Sequence, residues 1–450
     1  MASIVARALV TVDAEKASKQ DLELLKKLVM EFKDELDALG VKVDKLDKRV
    51  AVLEENLGGW KLRGLFWFDA NFAGGDNHLY NRNGADTAFN KERFRLFLTK
   101  QIDENTSFYS QWRFGGSQGD GYGDLKGDGT ITHLYVDTKL PYDVDFRVGR
   151  FAVDFEGDYG FYDETDAFFS DYRVDGFQFK KAFGGLTATA IVGRNAGRDA
   201  FSKHKDVEDP FEGAWMNYTL DLHWQANEKF FAGATGYWFI DDEMSTVTNG
   251  ILYGDYSFKN YAVYAGFKFI PAVELLGIYN WQDNDKDLVN VLADAGVSKA
   301  EDSPKAWKAV LTVDQSLLKF TALRFEYGQQ DNMFIGNRDY YGWGTDNTGN
   351  YATPFQNMPW NNSTSKFFFV RADQKWNDKW SSFLRYTQVD FDTTGLDDAK
   401  EYGIGVKYQY TPAIAFRLAY DYVDNGDNNT YGDSISGSDH VIQFRTTISF

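Results

Sequence analysis

The last stretch of the chain, residues 440–450, alternates between apolar and polar side chains. Counting back from Phe450, one parity carries Ile448, Phe444 and Ile442, and the other carries polar residues that include Arg445. This period-2 pattern predicts a strand with one apolar face. A strand at the end of a sheet leaves an exposed edge, and pairing with the first strand would remove that edge by closing a barrel. The alternative is the edge strand of a soluble β-sandwich.

The same alternation begins at residues 60–72, where Phe66 and Phe68 share one face and Trp67, Asp69 and Asn71 share the other. Further segments are predicted at 92–100, 106–114, 130–139, 144–152, 173–182, 186–194, 214–225, 229–239, 260–270, 273–282, 306–314, 320–330, 365–376, 380–391, 400–410, 413–422 and 440–450. Each has about the ten residues that a tilted strand needs to cross a membrane. The best count is 18 strands, with 16 as the alternative. Residues 251–258 fit either a further strand or a loop.

The connections between these segments alternate between short and long along the whole chain. Short ones include 101–105 and 140–143, and long ones include 152–172, 331–364 and 423–439. Periplasmic turns and external loops alternate in this way, whereas a sandwich or propeller gives no reason for it. The sequence therefore predicts an all-β transmembrane antiparallel β-barrel. A heptad repeat ahead of the barrel predicts an N-terminal α-helical coiled-coil stalk.

Composition agrees with a barrel that has a wet interior. The 450 residues contain no cysteine and 17% aromatic residues, and no apolar run is long enough for a spanning helix. Disulfides and thiolate metal sites are excluded. The net charge of −19 argues against a nucleic-acid partner.

A strict heptad repeat precedes the barrel. Its apolar a and d positions are Leu22, Leu25, Val29, Phe32, Leu36, Leu39, Val43, Leu46, Val50, Leu53 and Leu57. Such fidelity predicts a parallel coiled coil between copies of the chain, and it leaves two and three strands open. The alternative is one helix folded back on the barrel. Gly58 and Gly59 end the helix.

The order of segments along the whole chain resembles a known architecture. Residues 1–9, MASIVARAL, resemble the last helix of an S-layer homology (SLH) domain, and residues 34–65 are similar to the stalk-to-barrel junction of the SLH-type porins, the OmpM group of outer-membrane tethers. The resemblance implies an SLH remnant at 1–15, a periplasmic stalk at 16–58 and an outer-membrane porin barrel at 59–450. It also implies a homotrimer and binding of peptidoglycan through the SLH domain. We expect the body of that domain to lie outside this sequence.

The loop at 152–172 carries the strongest candidate for a pore constriction. It resembles the inward-folded third loop of general porins, in which acids face a basic wall. The predicted acidic residues are Asp154, Glu156, Asp158, Asp163, Glu164 and Asp166, and the predicted basic wall is Lys61, Arg63, Arg93, Arg95, Arg113 and Arg147. Opposed charges across a narrow channel order water and sort solutes by charge. The alternative is an outer loop whose acids are simply solvated.

Other candidate chemistry is sparse. Asp120, Asp124 and Asp128 could hold a structural calcium ion, although flexible Asp/Gly loops look the same. The histidines show no metal-ligand spacing, and no G-x-S-x-G motif is present. We therefore expect no cofactor and no enzymatic activity.

Together these features predict a passive outer-membrane porin for ions and small hydrophilic solutes, with Phe450 as its assembly signal. Two other functions remain open at this point. One is a membrane–cell wall tether whose barrel is plugged, and the other is a substrate-specific channel for sugars or anions.

Overall fold

A computed structural model describes residues 23–24, 27, 58–76, 80, 86–114, 130–161, 169–170, 172–195, 215–241, 246–247, 250–251, 257–294, 301–331, 334–335, 364–392, 397–430 and 433–450. The SLH resemblance and the heptad core lie outside these residues and stay predictions.

The fold is built almost entirely from strands. Their bounds are β1 Trp60–Gly75, β2 Thr87–Gln101, β3 Ser107–Phe114, β4 Thr130–Leu140, β5 Val144–Val153, β6 Tyr172–Phe183, β7 Leu186–Asn195, β8 Trp215–Asn227, β9 Phe230–Asp241, β10 Thr246–Val247, β11 Gly250–Ile251, β12 Phe258–Ile270, β13 Val273–Asn284, β14 Lys305–Val313, β15 Ala322–Gln330, β16 Ser365–Lys375, β17 Trp380–Phe391, β18 Ala399–Gln409, β19 Ile414–Thr430 and β20 Asp433–Ser449. Among the described residues between the strands, there are three α-helices, α1 Phe155–Asp158, α2 Lys286–Asp294 and α3 Gln315–Leu318, and one 3-10 helix at Pro141–Asp143.

Eighteen of the strands form one closed antiparallel barrel. Each strand pairs with its neighbours in the chain, β9 pairs with β12, and β1 pairs with β20 to close the sheet. The prediction of 18 strands is confirmed. Strands β10 and β11 pair only with each other, so Ile251 lies outside the barrel, whereas Phe258 is the first residue of the barrel strand β12. Residues 252–256 of the segment that fitted a strand or a loop lie outside the described residues.

The last two strands extend further than their side-chain pattern predicts. A long loop was expected at 423–439, but β19 runs to Thr430 and β20 starts at Asp433. The expectation was wrong because backbone pairing between neighbouring strands can continue beyond the apolar band, where alternation of side chains is no longer required. A register shift between Asp424 and Asp427 marks the change.

The alternating pattern places apolar side chains on the outside of the barrel. On β8, Tyr218, Leu220 and Leu222 point outward and are exposed, whereas Asn217 and Asp221 on the other parity are buried. The inner face holds polar groups along with an aromatic core near the long loops, formed by residues such as Phe151. A closed barrel with an apolar exterior is the architecture of transmembrane β-barrels. Within the described part of the chain, no helix is long and apolar enough to cross a membrane.

Candidate functional site: the barrel lumen

The loop after β5 crosses to the opposite wall of the barrel. Its Tyr159 hydroxyl donates a hydrogen bond of 2.6 Å to Oδ2 of Asp221 on β8. The Tyr159 ring stacks against His223 at 4.3 Å and against Tyr264 at 4.6 Å between centroids. The loop is therefore attached to the inner faces of β8 and β12.

Asp221 is the centre of this first attachment. Its carboxylate also accepts hydrogen bonds from Tyr264 at 2.9 Å and from Thr235 at 2.7 Å, and the residue is fully buried. Burial and the neighbouring Asp221 charge raise the pKa of the Tyr159 phenol, so it stays protonated and can donate. Three hydroxyl donors around one buried carboxylate satisfy the charge without a cation.

A second attachment holds the loop backbone. The buried Lys308 ammonium on β14 donates to the carbonyl oxygen of Phe161, and Arg324 on β15 donates to that of Gly160 at 3.3 Å. Both cations also pair with the buried Glu326, Lys308 at 4.0 Å. Charged donors therefore bind the main chain at this end of the loop.

Aromatic packing completes the attachment. Phe169 lies 4.8 Å from Tyr237 and 6.2 Å from Phe334 between ring centroids, and Phe155 lies 6.4 Å from Tyr237. We call residues 154–161 and 169–170 the cross-lumen strut. Hydrogen bonds and ring contacts tie it to strands β8–β15.

The predicted acidic residues of this loop have different environments. Asp154 caps α1 by accepting from the backbone N–H of Gly157 at 3.0 Å. Glu156 is buried and accepts from the backbone N–H of Phe169 at 2.7 Å, so it holds the strut together internally. Asp163, Glu164 and Asp166 lie outside the described residues.

Asp158 is the described acid of the strut that interacts with the basic wall. Burial raises the pKa of its carboxyl, while the nearby charges of Lys180 and Arg147 lower it and that of Asp221 raises it. Lys180 on β6 and Arg147 on β5 belong to the inner face of the sheet. This brings one strut carboxylate into the field of the cations on β5 and β6.

All six predicted basic residues lie on the inward parity of their strands. Lys61 and Arg63 are exposed, and Arg93, Arg95, Arg113 and Arg147 are half-buried. Arg93 lies over the Trp67 ring at 4.1 Å, and Arg147 pairs with Asp137 at 2.7 Å. Arg95 and Arg113 are directly opposite each other on β2 and β3. Their role in ion selectivity stays a prediction.

Lumenal aromatic rings accompany this wall. Tyr109 stacks on Tyr135 at 5.0 Å between centroids, and the Arg147 guanidinium lies 4.0 Å from the Tyr135 centroid. The Tyr109 hydroxyl donates to Gln111 at 3.2 Å. Flat aromatic surfaces beside cations and amides can contact sugar rings or planar anions.

A second group of inward cations was missed at the sequence level. Arg324, Arg371 and Arg385 are directly opposite one another on β15, β16 and β17. Inward parity could have flagged them, because each alternates with an outward apolar residue. Parity shows which face of the sheet a residue lies on, but not its height along the barrel axis. Cations on neighbouring strands come close only when they lie at the same height.

Part of the inner wall is fully buried together with its charges. Arg385 pairs with Glu401 at 2.7 Å and with Asp421 at 2.9 Å, and all three side chains are at most 2% exposed. Asp69 and Arg445 form a similar buried pair at 2.7 Å. The Tyr80 side chain, which is also buried, lies within the field of Arg385 and both of its acids. These charged groups of the inner wall are therefore shielded from water.

No group of His, Asp and Glu among the described residues has the arrangement of a metal site. The proposed calcium ligands Asp120, Asp124 and Asp128 lie outside those residues, and this expectation stays untested.

The fold and the lumen define a transmembrane β-barrel with an internal strut, and comparison with known proteins agrees with the fold. No family model and no curated protein matches the chain. Among solved structures, it is similar to OccK10 (OpdN) of Pseudomonas aeruginosa, with 14% identity and a TM-score of 0.55 over 87% of this chain and 99% of that one. It is similar to OccAB1 of Acinetobacter baumannii, with 12% identity and a TM-score of 0.51 over 87% of this chain and 96% of that one. At these identities the likeness shows the fold alone.

Proposed function

We propose that this chain is an outer-membrane porin that lets ions and small hydrophilic solutes diffuse passively. The observation that carries the proposal is the asymmetry of the lumen. The strut is tied to β8–β15, and the basic residues of β1–β5 remain half-buried or exposed on the opposite wall. A water path beside that wall would pass between Asp158 and the wall arginines, where opposed charges orient polar solutes.

The test is the conductance of the detergent-folded full chain in a planar bilayer. A homotrimer of open barrels should insert and close in three equal voltage-driven steps. A protein that inserts without conducting would reject the porin and favour an anchor.

The plugged anchor is the second candidate because Arg385, Glu401 and Asp421 are buried on the inner face. Charged residues that line a wide water channel would be solvated, so the burial of these three supports a barrel that is occluded on this side. The Tyr109–Tyr135 stack favours a sugar- or anion-specific channel as a variant of the porin. Block of the current by an added sugar or anion at millimolar concentration would separate that variant from a general porin.

We further propose that the heptad segment forms a periplasmic stalk that joins three copies and leads toward an SLH domain bound to peptidoglycan. The heptad positions Leu22 to Leu57 and the resemblance of residues 34–65 support this tether. Pull-down of the full chain with purified peptidoglycan, with and without an SLH domain fused ahead of residue 1, tests it. Equal binding of peptidoglycan with and without the fused SLH domain would contradict the proposed role.

A further inference from the structure

An ion pair lies on the outer face of the barrel, where side chains would meet lipid. Arg150 on β5 binds Asp175 on β6 with two hydrogen bonds of 2.8 Å and 2.7 Å. Phe151, next to Arg150, is fully buried on the inner face, and Phe177 shares the outward parity of Asp175 with 46% exposure. The pair itself is open, with side chains 37% and 57% exposed.

The depth of this pair in the wall is unusual. Arg150 is the seventh of the ten residues of β5, counted from the short-turn end. A rise of about 3.3 Å per residue, with the strand tilted by about 40°, places it roughly 15 Å above the start of the strand. The apolar band of such barrels is about 25 Å tall, so the pair lies within the band.

Another outward ion pair shows the contrast. Lys259 and Asp283 pair at 2.7 Å with similar exposure, but Lys259 is the second of thirteen residues of β12 and Asp283 the eleventh of twelve of β13. That pair lies at the long-loop ends of its strands, at the rim of the barrel. Charges are normal there because water and headgroups solvate them.

The wall beside Arg150 and Asp175 continues the alternation of charge. Arg194 on β7 is directly opposite Asp175, so a cation, an anion and a second cation lie side by side on three strands. Toward the short turns, the outward residues of β7 are Val192, Ala190, Ala188 and finally Leu186, beside the exposed Phe177 and Phe179 of β6. Small side chains let a second wall approach closely, and lipid gives no solvation to the charges above them.

We propose that the outward face of β5–β7, centred on Arg150 and Asp175, is covered by a second copy of this chain. A lipid headgroup is the weaker occupant, because headgroups lie at the rim and the pair lies deeper. The predicted stalk holds copies side by side, so a neighbouring barrel is available at this wall. The inference rests on the proposed outer-membrane oligomer and names the surface through which its barrels meet.

The test uses spin labels on the full chain in outer-membrane vesicles. Because the chain has no cysteine, Val192→Cys gives one label on the proposed interface, and Val263→Cys gives one on the outward face of β12, where Val263 is 44% exposed. The expected result is at least a severalfold lower collision rate with dissolved oxygen at position 192 than at 263. Equal, high collision rates at both positions would show lipid on both faces and overturn the proposal.

A charge-removal pair provides the second readout. Arg150→Leu with Asp175→Leu should lower the temperature at which the oligomer dissociates on non-denaturing gels, whereas Lys259→Leu with Asp283→Leu should leave it unchanged. No shift in the first variant would contradict the interface. Bilayer conductance tests the proposed porin function separately from the interface. If the protein does not conduct but the label at position 192 has a low collision rate with oxygen, the porin function is rejected and the interface is retained.

Discussion

The ring of the terminal residue Phe450 lies against the backbone of Gly64 at the seam of the barrel. A Cβ added to Gly64 would lie 2.2 Å from Cζ of that ring. The Gly64 N–H donates to the Phe450 carbonyl at 2.5 Å, and the Phe450 N–H donates to the Gly64 carbonyl at 3.0 Å. The aromatic end of the chain and a residue without a side chain therefore fit each other where the sheet closes.

Gly64→Ala should destabilise the barrel because the new methyl group needs the space of the Phe450 ring. We expect a loss of about 1–3 kcal/mol, typical of overpacking, measured as a lower urea midpoint of unfolding in detergent. The matched control is Gly277→Ala on β13, where a Cβ meets nothing within 4 Å. Combining Gly64→Ala with Phe450→Ala should recover part of the loss. Equal midpoints for the two glycine variants would contradict this reading of the seam.

Tyr159→Phe should loosen the strut while preserving its ring stacking. The variant removes the hydroxyl that donates to Asp221 but keeps the ring against His223 and Tyr264. A hydrogen bond to a charged acceptor contributes about 1.5–3 kcal/mol, so the strut should leave the wall more often. We expect larger current fluctuations in the open state of single channels. Tyr261→Phe, on the outward parity of β12, should leave the fluctuations unchanged.

Replacing both Arg93 and Arg95 by glutamate should shift ion selectivity toward cations. Both arginines lie on the inward parity of β2, so their reversal changes the field along the proposed water path. The reversal potential in a salt gradient measures the shift. Lys259→Glu, on the outer rim, is the control and should have no effect. If the double variant forms an open channel with unchanged ion selectivity, the basic wall is assigned wrongly.

Acidification should make the channel more anion-selective. Burial raises the pKa of Asp158, so this carboxyl loses its charge at a higher pH than an ordinary aspartate, whose pKa is about 3.9. The arginines keep their charge throughout, and the balance near Asp158 becomes more positive as the pH falls through that raised pKa. Reversal potentials recorded from neutral to acid pH follow the change. At neutral pH, Asp158→Asn should already show the ion selectivity that the unchanged protein has at acid pH. If the variant has the same dependence of selectivity on pH as the unchanged protein, Asp158 does not belong to the constriction.

Arg385→Met should destabilise the barrel strongly because it leaves two buried carboxylates, Glu401 and Asp421, without their cation. Breaking a buried pair from one side costs about 3–5 kcal/mol. Arg371→Met is the control, since its partner Asp373 has a half-exposed side chain that water can solvate. Unfolding midpoints in urea compare the two. A similar, small loss in both would mean that water reaches the Arg385 cluster.

Sequence periodicity predicted the strands of the barrel wall but not the contacts of the cross-lumen strut inside the barrel. Alternation located each of the 18 strands and the faces of residues such as Trp67 and Asp69, because period 2 is a local property of a strand. The extent of β19 and β20 was missed because backbone pairing continues where side chains no longer alternate.

The attachments of the strut could not be predicted for a different reason. Lys308 meets Phe161 across a sequence separation of 147 residues, and their contact depends on the stagger of all the strands between them. Glu156 looked like one of several equivalent acids, yet it bonds within the strut, and its burial is set by the fold of the loop. Neither the residue type nor its parity predicts the contact between Lys308 and Phe161 or the burial of Glu156.

The seam also determines the order of events when the barrel forms. Arg445 on β20 binds Asp69 on β1 across 376 residues of sequence, whereas every other pairing of barrel strands joins strands that are neighbours in the chain. Long loop closure is slow, and the first strand must keep an unpaired edge until the last one has been synthesised. A partly formed barrel therefore keeps an open edge at β1 that other chains can pair with, and the pairing of β20 closes it.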